Sequence, residues 1–191
     1  MILLIIGITA ALLITIVLPI AAGVWLNKKL GVPWRVITYG VLGYFLVQAL
    51  VTLVFSGLNA LGQNDDFLLA GQELNTVQIL LSILLGALFG VLVRWLGMKY
   101  LNEDLDNLES AYGIGIGYGG AESIMLVGLP LLTTFITMLT NINIDPQTSA
   151  LDPAVIQQIE ALWQVSAFIP LVGSLERIAA LVMHLAVTIL I

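Results

Sequence analysis

Five runs of apolar residues, at about 1–26, 34–58, 76–98, 111–140 and 162–191, are each long enough to cross a bilayer as a helix. Strand-length alternation is absent, which argues against a transmembrane barrel. With 60% of its 191 residues hydrophobic and 9% charged, and a mean hydropathy of +1.07, the chain lies far outside the make-up of a soluble domain. The expected architecture is all-α: one integral membrane domain over 1–191, a polytopic helix bundle with about five crossings and one or two interfacial helices. The first run has no basic leader and is too long for the apolar core of a signal peptide. Asn27-Lys28-Lys29 follows it directly, so it reads as a retained helix.

Charge placement gives an orientation. Lys28, Lys29 and Arg35 fall in the first loop and Arg94 and Lys99 near the end of the third run, whereas 59–75 and 141–160 contain no lysine or arginine. That asymmetry predicts an N-terminus outside and a C-terminus inside. Asp65, Asp66, Glu73, Asp145, Asp152 and Glu160 lie on the side without bases, where acids carry little topological weight. The absence of cysteine excludes disulfides, thiolate nucleophiles and cysteine metal sites, but leaves histidine–carboxylate sites open. A net charge of -6 argues against nucleic acid or an anionic lipid surface as a partner.

Several local features are accounted for by membrane anatomy. Pro19 frees a backbone carbonyl and kinks the first helix. Trp34, Arg35 and Tyr39 form an interfacial girdle. In 59–75, Asn64-Asp65-Asp66 lacks the remaining ligands of a calcium loop and reads as a solvated turn. LNEDLDNLESAY, with Leu101, Leu105 and Leu108 at helical spacing, reads as a surface helix whose acids face solvent. A second surface helix is expected from Asp152-Pro153, with Asp as cap and Pro in the first turn, and 162–171 entering the membrane.

The stretch YGIGIGYGGAESIM, residues 112–125, has no preceding strand and no GK[ST], so it is no phosphate-binding loop. Gly113, Gly115, Gly117, Gly119 and Gly120 instead strip side chains from both sides of a membrane helix, or let it open locally, and bring a neighbouring backbone close. Gly86 and Gly90 have the small-xxx-small spacing of a packing face. Glu122 lies inside the fourth apolar run, where an unpaired carboxylate costs roughly 2.5 to 3.5 kcal/mol on insertion scales. Its candidate partners are Arg94, Glu176, Arg177 and His184. Arg177 and His184 are seven residues apart and share a helical face, with Glu176 turned partly away. The expected polar cluster is an Arg177–Glu122 ion pair with His184 beside it, completed by Arg94 and Glu176. Glu122, Glu176 and His184 could formally supply two oxygens and one nitrogen to zinc, but a hydrogen-bonded neutral histidine is the simpler account of the one histidine present.

GIGIGYGGAESI followed by SLERIAALVMHLAVTILI resembles the YhfC family of intramembrane metalloproteases, distant relatives of the CAAX-processing and bacteriocin-processing membrane peptidases. It is also similar to the wider superfamily that includes the gamma-secretase assembly subunit, which is associated with holding a complex together. The likeness is readable over 84–191. It implies a Glu-Glu pair ahead of an arginine, a histidine within Gly-His-Gly-Gly, and a second histidine after Glu-Arg. Arg94, Glu122, Glu176, Arg177 and His184 match that pattern, whereas Gly90 and Val91 stand where the paired glutamates belong and Tyr118 where the first histidine belongs. A metalloprotease needs ligands to fix the ion and a base to activate water, and neither glycine, valine nor a phenol replaces them well.

The expected function is therefore a catalytically silent, protease-like scaffold or complex subunit of a prokaryotic cell membrane. Its partners would be other integral membrane proteins and lipids, with no cofactor. The alternative is an active metalloprotease with an altered zinc site at Glu122, Glu176 and His184, helped by Tyr118. A third reading is a transporter or channel component with helices broken near Gly115 and Pro130. The end at Leu190-Ile191, directly after the last apolar run, reads either as a short product or as a chain lacking a continuation.

Overall fold

A computed structural model describes residues 1–62, 75–100, 108–143 and 152–191. The described residues are helical with no strand, and five stretches are long and apolar enough to cross a membrane: Ile2–Leu30, Trp34–Leu58, Gln78–Tyr100, Leu108–Thr140 and Phe168–Leu190. The first crossing comprises α1 (Ile2–Leu12), a π-helical turn (Leu13–Val17) and α2 (Leu18–Leu30). The second is α3 (Trp34–Gly62) and the third α4 (Asn75–Tyr100). The fourth joins α5 (Leu108–Ser123), a π-helical turn (Ile124–Gly128) and α6 (Leu129–Thr140). A short α7 (Pro153–Trp163) precedes the fifth crossing, α8 (Phe168–Leu190).

Both π-helical turns sit just before a proline, and the cause is local. Pro19 and Pro130 have no N–H to return to the carbonyl four residues back, so the turn ahead of each widens. The carbonyl that Pro19 leaves free is that of Thr15, and Ser123 Oγ donates a hydrogen bond to it at 3.0 Å. The two widened turns pack together, since a Cβ on Gly128 would stand 2.6 Å from Ile16 Cγ1. The expected kink at Pro19 is thus a bridge between the first and fourth crossings.

The glycine run is an unbroken α-helix that splits its residues between partners. Gly113 and Gly117, one turn apart, face α3. A Cβ on Gly113 would lie 2.8 Å from Val36 Cγ1, one on Gly117 would collide with the Ile37 carbonyl oxygen, and one on Gly40 would collide with that of Ile114. Gly115 and Gly119 face α8, with Leu185 and Leu181 at 3.1 and 2.9 Å from their would-be Cβ atoms, and Gly120 meets Pro19 at 3.0 Å. Because lipid tails are as apolar as leucine, such close contact is what holds membrane helices together. Leu26, Val32, Val36, Ile37, Ile114 and Leu181 form the apolar cluster around this seam. Leu4, Ile8 and Met138 form another, against which Leu162 and Trp163 of α7 pack.

Three expectations change. A Cβ on Gly86 would meet nothing within 4 Å, and one on Gly90 would meet the Tyr118 hydroxyl at 3.2 Å, so among the described residues this pair packs on no helix backbone. The fifth crossing begins at Phe168 rather than near 162: α7 ends at Trp163 and the backbone leaves the helix before α8 starts. Helix α3 continues to Gly62, past the expected loop start at 59. The start of α7 is capped by Asp152, whose carboxylate accepts from Ala154 N at 2.7 Å, with Pro153 in the first turn. The Asn64-Asp65-Asp66 turn and most of the acidic surface helix, 101–107, lie outside the described residues.

Candidate functional site

The polar residues of the membrane interior gather where α4, α5 and α8 meet. Tyr118 and Glu122 lie one turn apart on α5 and share a face. Helix α8 buries Ser174, Leu181, His184 and Thr188 along one stripe. Gly119 lets that stripe in, since a Cβ there would stand 3.1 Å from His184 Cδ2. The glycine run therefore also positions the histidine.

Glu122 is the centre of an ionic group. Its Oε1 lies 3.2 Å from Arg177 Nη1, and its Oε2 lies 3.0 Å from His184 Nε2. The second contact is close but does not meet hydrogen-bond geometry, so it is an electrostatic contact, and among the described residues His184 Nε2 is buried without an in-line hydrogen-bond partner. Arg177 also pairs with Glu176, whose own side chain is 61% exposed. One guanidinium thus serves two carboxylates.

Arg94 enters from α4 and takes a different set of partners. Its Nε donates to the Gly90 carbonyl at 2.7 Å, and its Nη1 donates to the His184 carbonyl at 3.3 Å and to Thr188 Oγ1 at 3.2 Å. Thr188 passes its own hydrogen to the His184 carbonyl at 2.7 Å. The guanidinium carbon stands 4.6 Å from the centroid of the Tyr118 ring, a cation–π contact, and Tyr118 packs edge-on against Tyr44. Arg94, offered by the sequence as a partner for Glu122, instead lies against Tyr118 and the His184 backbone. Its Nη1 also faces His184 Nδ1 at 3.4 Å. A guanidinium only donates, so in this contact Nδ1 is the accepting atom.

The structure thus brings Arg94, Glu122, Arg177 and His184 into one chain of contacts and leaves Glu176 at its outer edge. Sequence reasoning missed Thr188, Ser123 and Gly40. Thr188 is one turn beyond His184, which was a usable signal. Ser123 next to Glu122, and Gly40 in an otherwise ordinary apolar run, carried none. Beside the cluster, an apolar cavity of ≈ 600 Å³ runs between α3 and α4, lined by Leu42, Leu46, Val93, Arg94 and Gly97 among others, but not by Glu122 or His184.

The model of one protein family, described as YhfC intramembrane metalloprotease, matches residues 14–191. The chain belongs to that family. No curated protein and no solved structure matches it at a significant level. The YhfC description implies a metal ion, and the donors among the described residues do not fit one. A catalytic zinc takes three protein ligands and keeps a further position open. His184 Nε2 and Glu122 Oε2 are close enough together to touch one ion, but among the described residues no group of three histidine or carboxylate side chains is placed to hold one. Glu176 is turned outward and paired with Arg177. Two guanidinium groups flank the would-be ligands, so a divalent cation would meet like charge on both sides. The position where the YhfC resemblance places a glutamate is Gly90, and the Tyr118 hydroxyl and Arg94 Nη2 border that space, 3.2 and 3.5 Å from where a Cβ would stand.

Proposed function

We propose that this chain is a non-cleaving member of the YhfC family that acts as a scaffold or subunit of a membrane protein complex, with other integral membrane proteins and lipids as its partners. The observation that carries the reading is that Tyr118 and Arg94 border the Gly90 position. Side chains that stack and donate hydrogen bonds border a place where a metalloprotease needs lone pairs. The remaining polar residues cross-link α4, α5 and α8, which suits a rigid support more than a water-filled cleft. Lys28, Lys29, Arg35 and Lys99 all fall at the same end of the crossings, which supports an N-outside, C-inside placement in a prokaryotic cell membrane.

The test is turnover. The purified full chain, reconstituted with zinc and a panel of transmembrane and juxtamembrane peptides, is expected to cleave none of them above the level of Glu122→Gln. Cleavage that this substitution abolishes would contradict the proposal. It would favour a second reading, an active protease with an altered site, whose support is the unpartnered His184 Nε2 beside Glu122.

A further inference from the structure

Helix α8 buries one stripe and turns the opposite one outward: Ile169, Val172, Glu176, Ala179 and Met183 follow one another at helical spacing and are all exposed. Exposed apolar residues on such a face are matched by lipid. Glu176 is not. It lies eight residues beyond Phe168, about 12 Å along the helix axis from its start, with 61% of its side chain exposed. A carboxylate facing hydrocarbon at that depth is expensive, and membrane proteins rarely leave one uncovered. Arg177 holds both of its oxygens, through Nε and Nη2, while the Nη1 of the same guanidinium holds Glu122, so one base is shared between two carboxylates. The other guanidinium of the cluster, Arg94, is bound to Tyr118, His184 and Thr188 rather than to either carboxylate. Beside Glu176 the helix is also thin, since a Cβ on Gly173 would meet nothing within 4 Å. Another backbone can approach there closely.

We propose that this face of α8 docks a transmembrane helix of a different protein, one that carries a lysine or arginine at the depth of Glu176. A second copy of this chain cannot supply that charge. Its six basic residues are Arg94 and Arg177, both engaged within the cluster, and Lys28, Lys29, Arg35 and Lys99. Those four lie where the first crossing ends, the second begins and the third ends, the membrane face at which α8 finishes rather than starts. The inference rests on the scaffold reading and names the surface and the chemistry of its partner.

The test uses the full chain in phosphatidylcholine vesicles with designed transmembrane peptides of leucine and alanine that carry a single lysine, leucine or glutamate about 12 Å from one end, with association read by energy transfer. The lysine peptide is expected to bind about threefold to thirtyfold more tightly than the leucine peptide, the range of one interhelical polar contact. Glu176→Gln should remove that preference, and Val172→Trp should weaken binding by obstructing the face while leaving the charge in place. Equal binding of lysine and leucine peptides, a preference that survives Glu176→Gln, or self-association of the chain that depends on Glu176 would each overturn the proposal. Such a failure leaves the non-cleaving reading intact, whereas cleavage sensitive to Glu122→Gln removes that reading without touching the peptide result.

Discussion

Helix α5 is joined to α3 and to α4 by opposite means, and to α8 by both. Against α3 it presents glycine, so that Gly117 and Gly40 each lie against a carbonyl of the other helix and no side chain intervenes. Towards α4 it presents Tyr118, and towards α8 both Gly115 and Gly119 and, further along, Glu122, where long side chains from all three helices span the gap. The first joint has no room for adjustment, because backbone cannot move aside as a side chain can. The second consists of charged and aromatic groups with several partners among them, so the loss of one contact leaves others. The glycine seam should therefore dominate stability, while the polar joint sets which groups face the Gly90 space.

The largest effect follows at the seam. Gly117→Ala is expected to cost about 3 kcal/mol or more, because its Cβ collides with the Ile37 carbonyl oxygen. Unfolding in mixed micelles would measure this, and a cost below that of Glu122→Gln would reverse the ranking of the two joints. Glu122→Gln comes next. Breaking a fully buried ion pair costs about 3 to 5 kcal/mol, but Glu122 and Arg177 keep 20% and 13% of their side-chain exposure, so about 1 to 3 kcal/mol is expected here. A double-mutant cycle with Arg177→Met should show positive coupling between them; strict additivity would mean that the pair does not hold the joint.

Tyr118→Phe should be milder, under about 1 kcal/mol, because the ring over Arg94 is retained and only the hydroxyl beside Gly90 is lost. A larger loss in the same unfolding assay would give that hydroxyl a structural role of its own. The smallest effect belongs to Gly57→Ala. A Cβ there meets open space, so the helix should be unchanged or stabilised by up to about 1 kcal/mol. A loss at Gly57 would point to an uncharted contact.

What could be read from the sequence followed from strong, short-range signals. The number of crossings is carried by apolar runs whose length leaves no other use for them, and the intramembrane charges of Glu122 and Arg177 are too costly to stand alone. The alternating glycines announced close contact but not with what: their spacing places Gly113 and Gly117 on one face and Gly115 and Gly119 on another, and only the assembled bundle assigns those faces to α3 and α8. Arg94 shows the limit. Its charge suggested a carboxylate partner, yet a guanidinium with five donors is satisfied here by two carbonyls, a hydroxyl and an aromatic face. Gly86 shows another, since a small-xxx-small spacing describes a surface and not its neighbour.

The central claim is that the space beside Gly90 is closed to a catalytic metal by Tyr118 and Arg94, and its most direct test is zinc content. The full chain, purified without chelator and equilibrated with zinc, is predicted to hold no more metal than Glu122→Gln and His184→Ala. In the same assay the paired substitutions Gly90→Glu and Tyr118→His, which return donors to that space, should raise it. Stoichiometric zinc on the unmodified protein, lost in both single variants, would contradict the account.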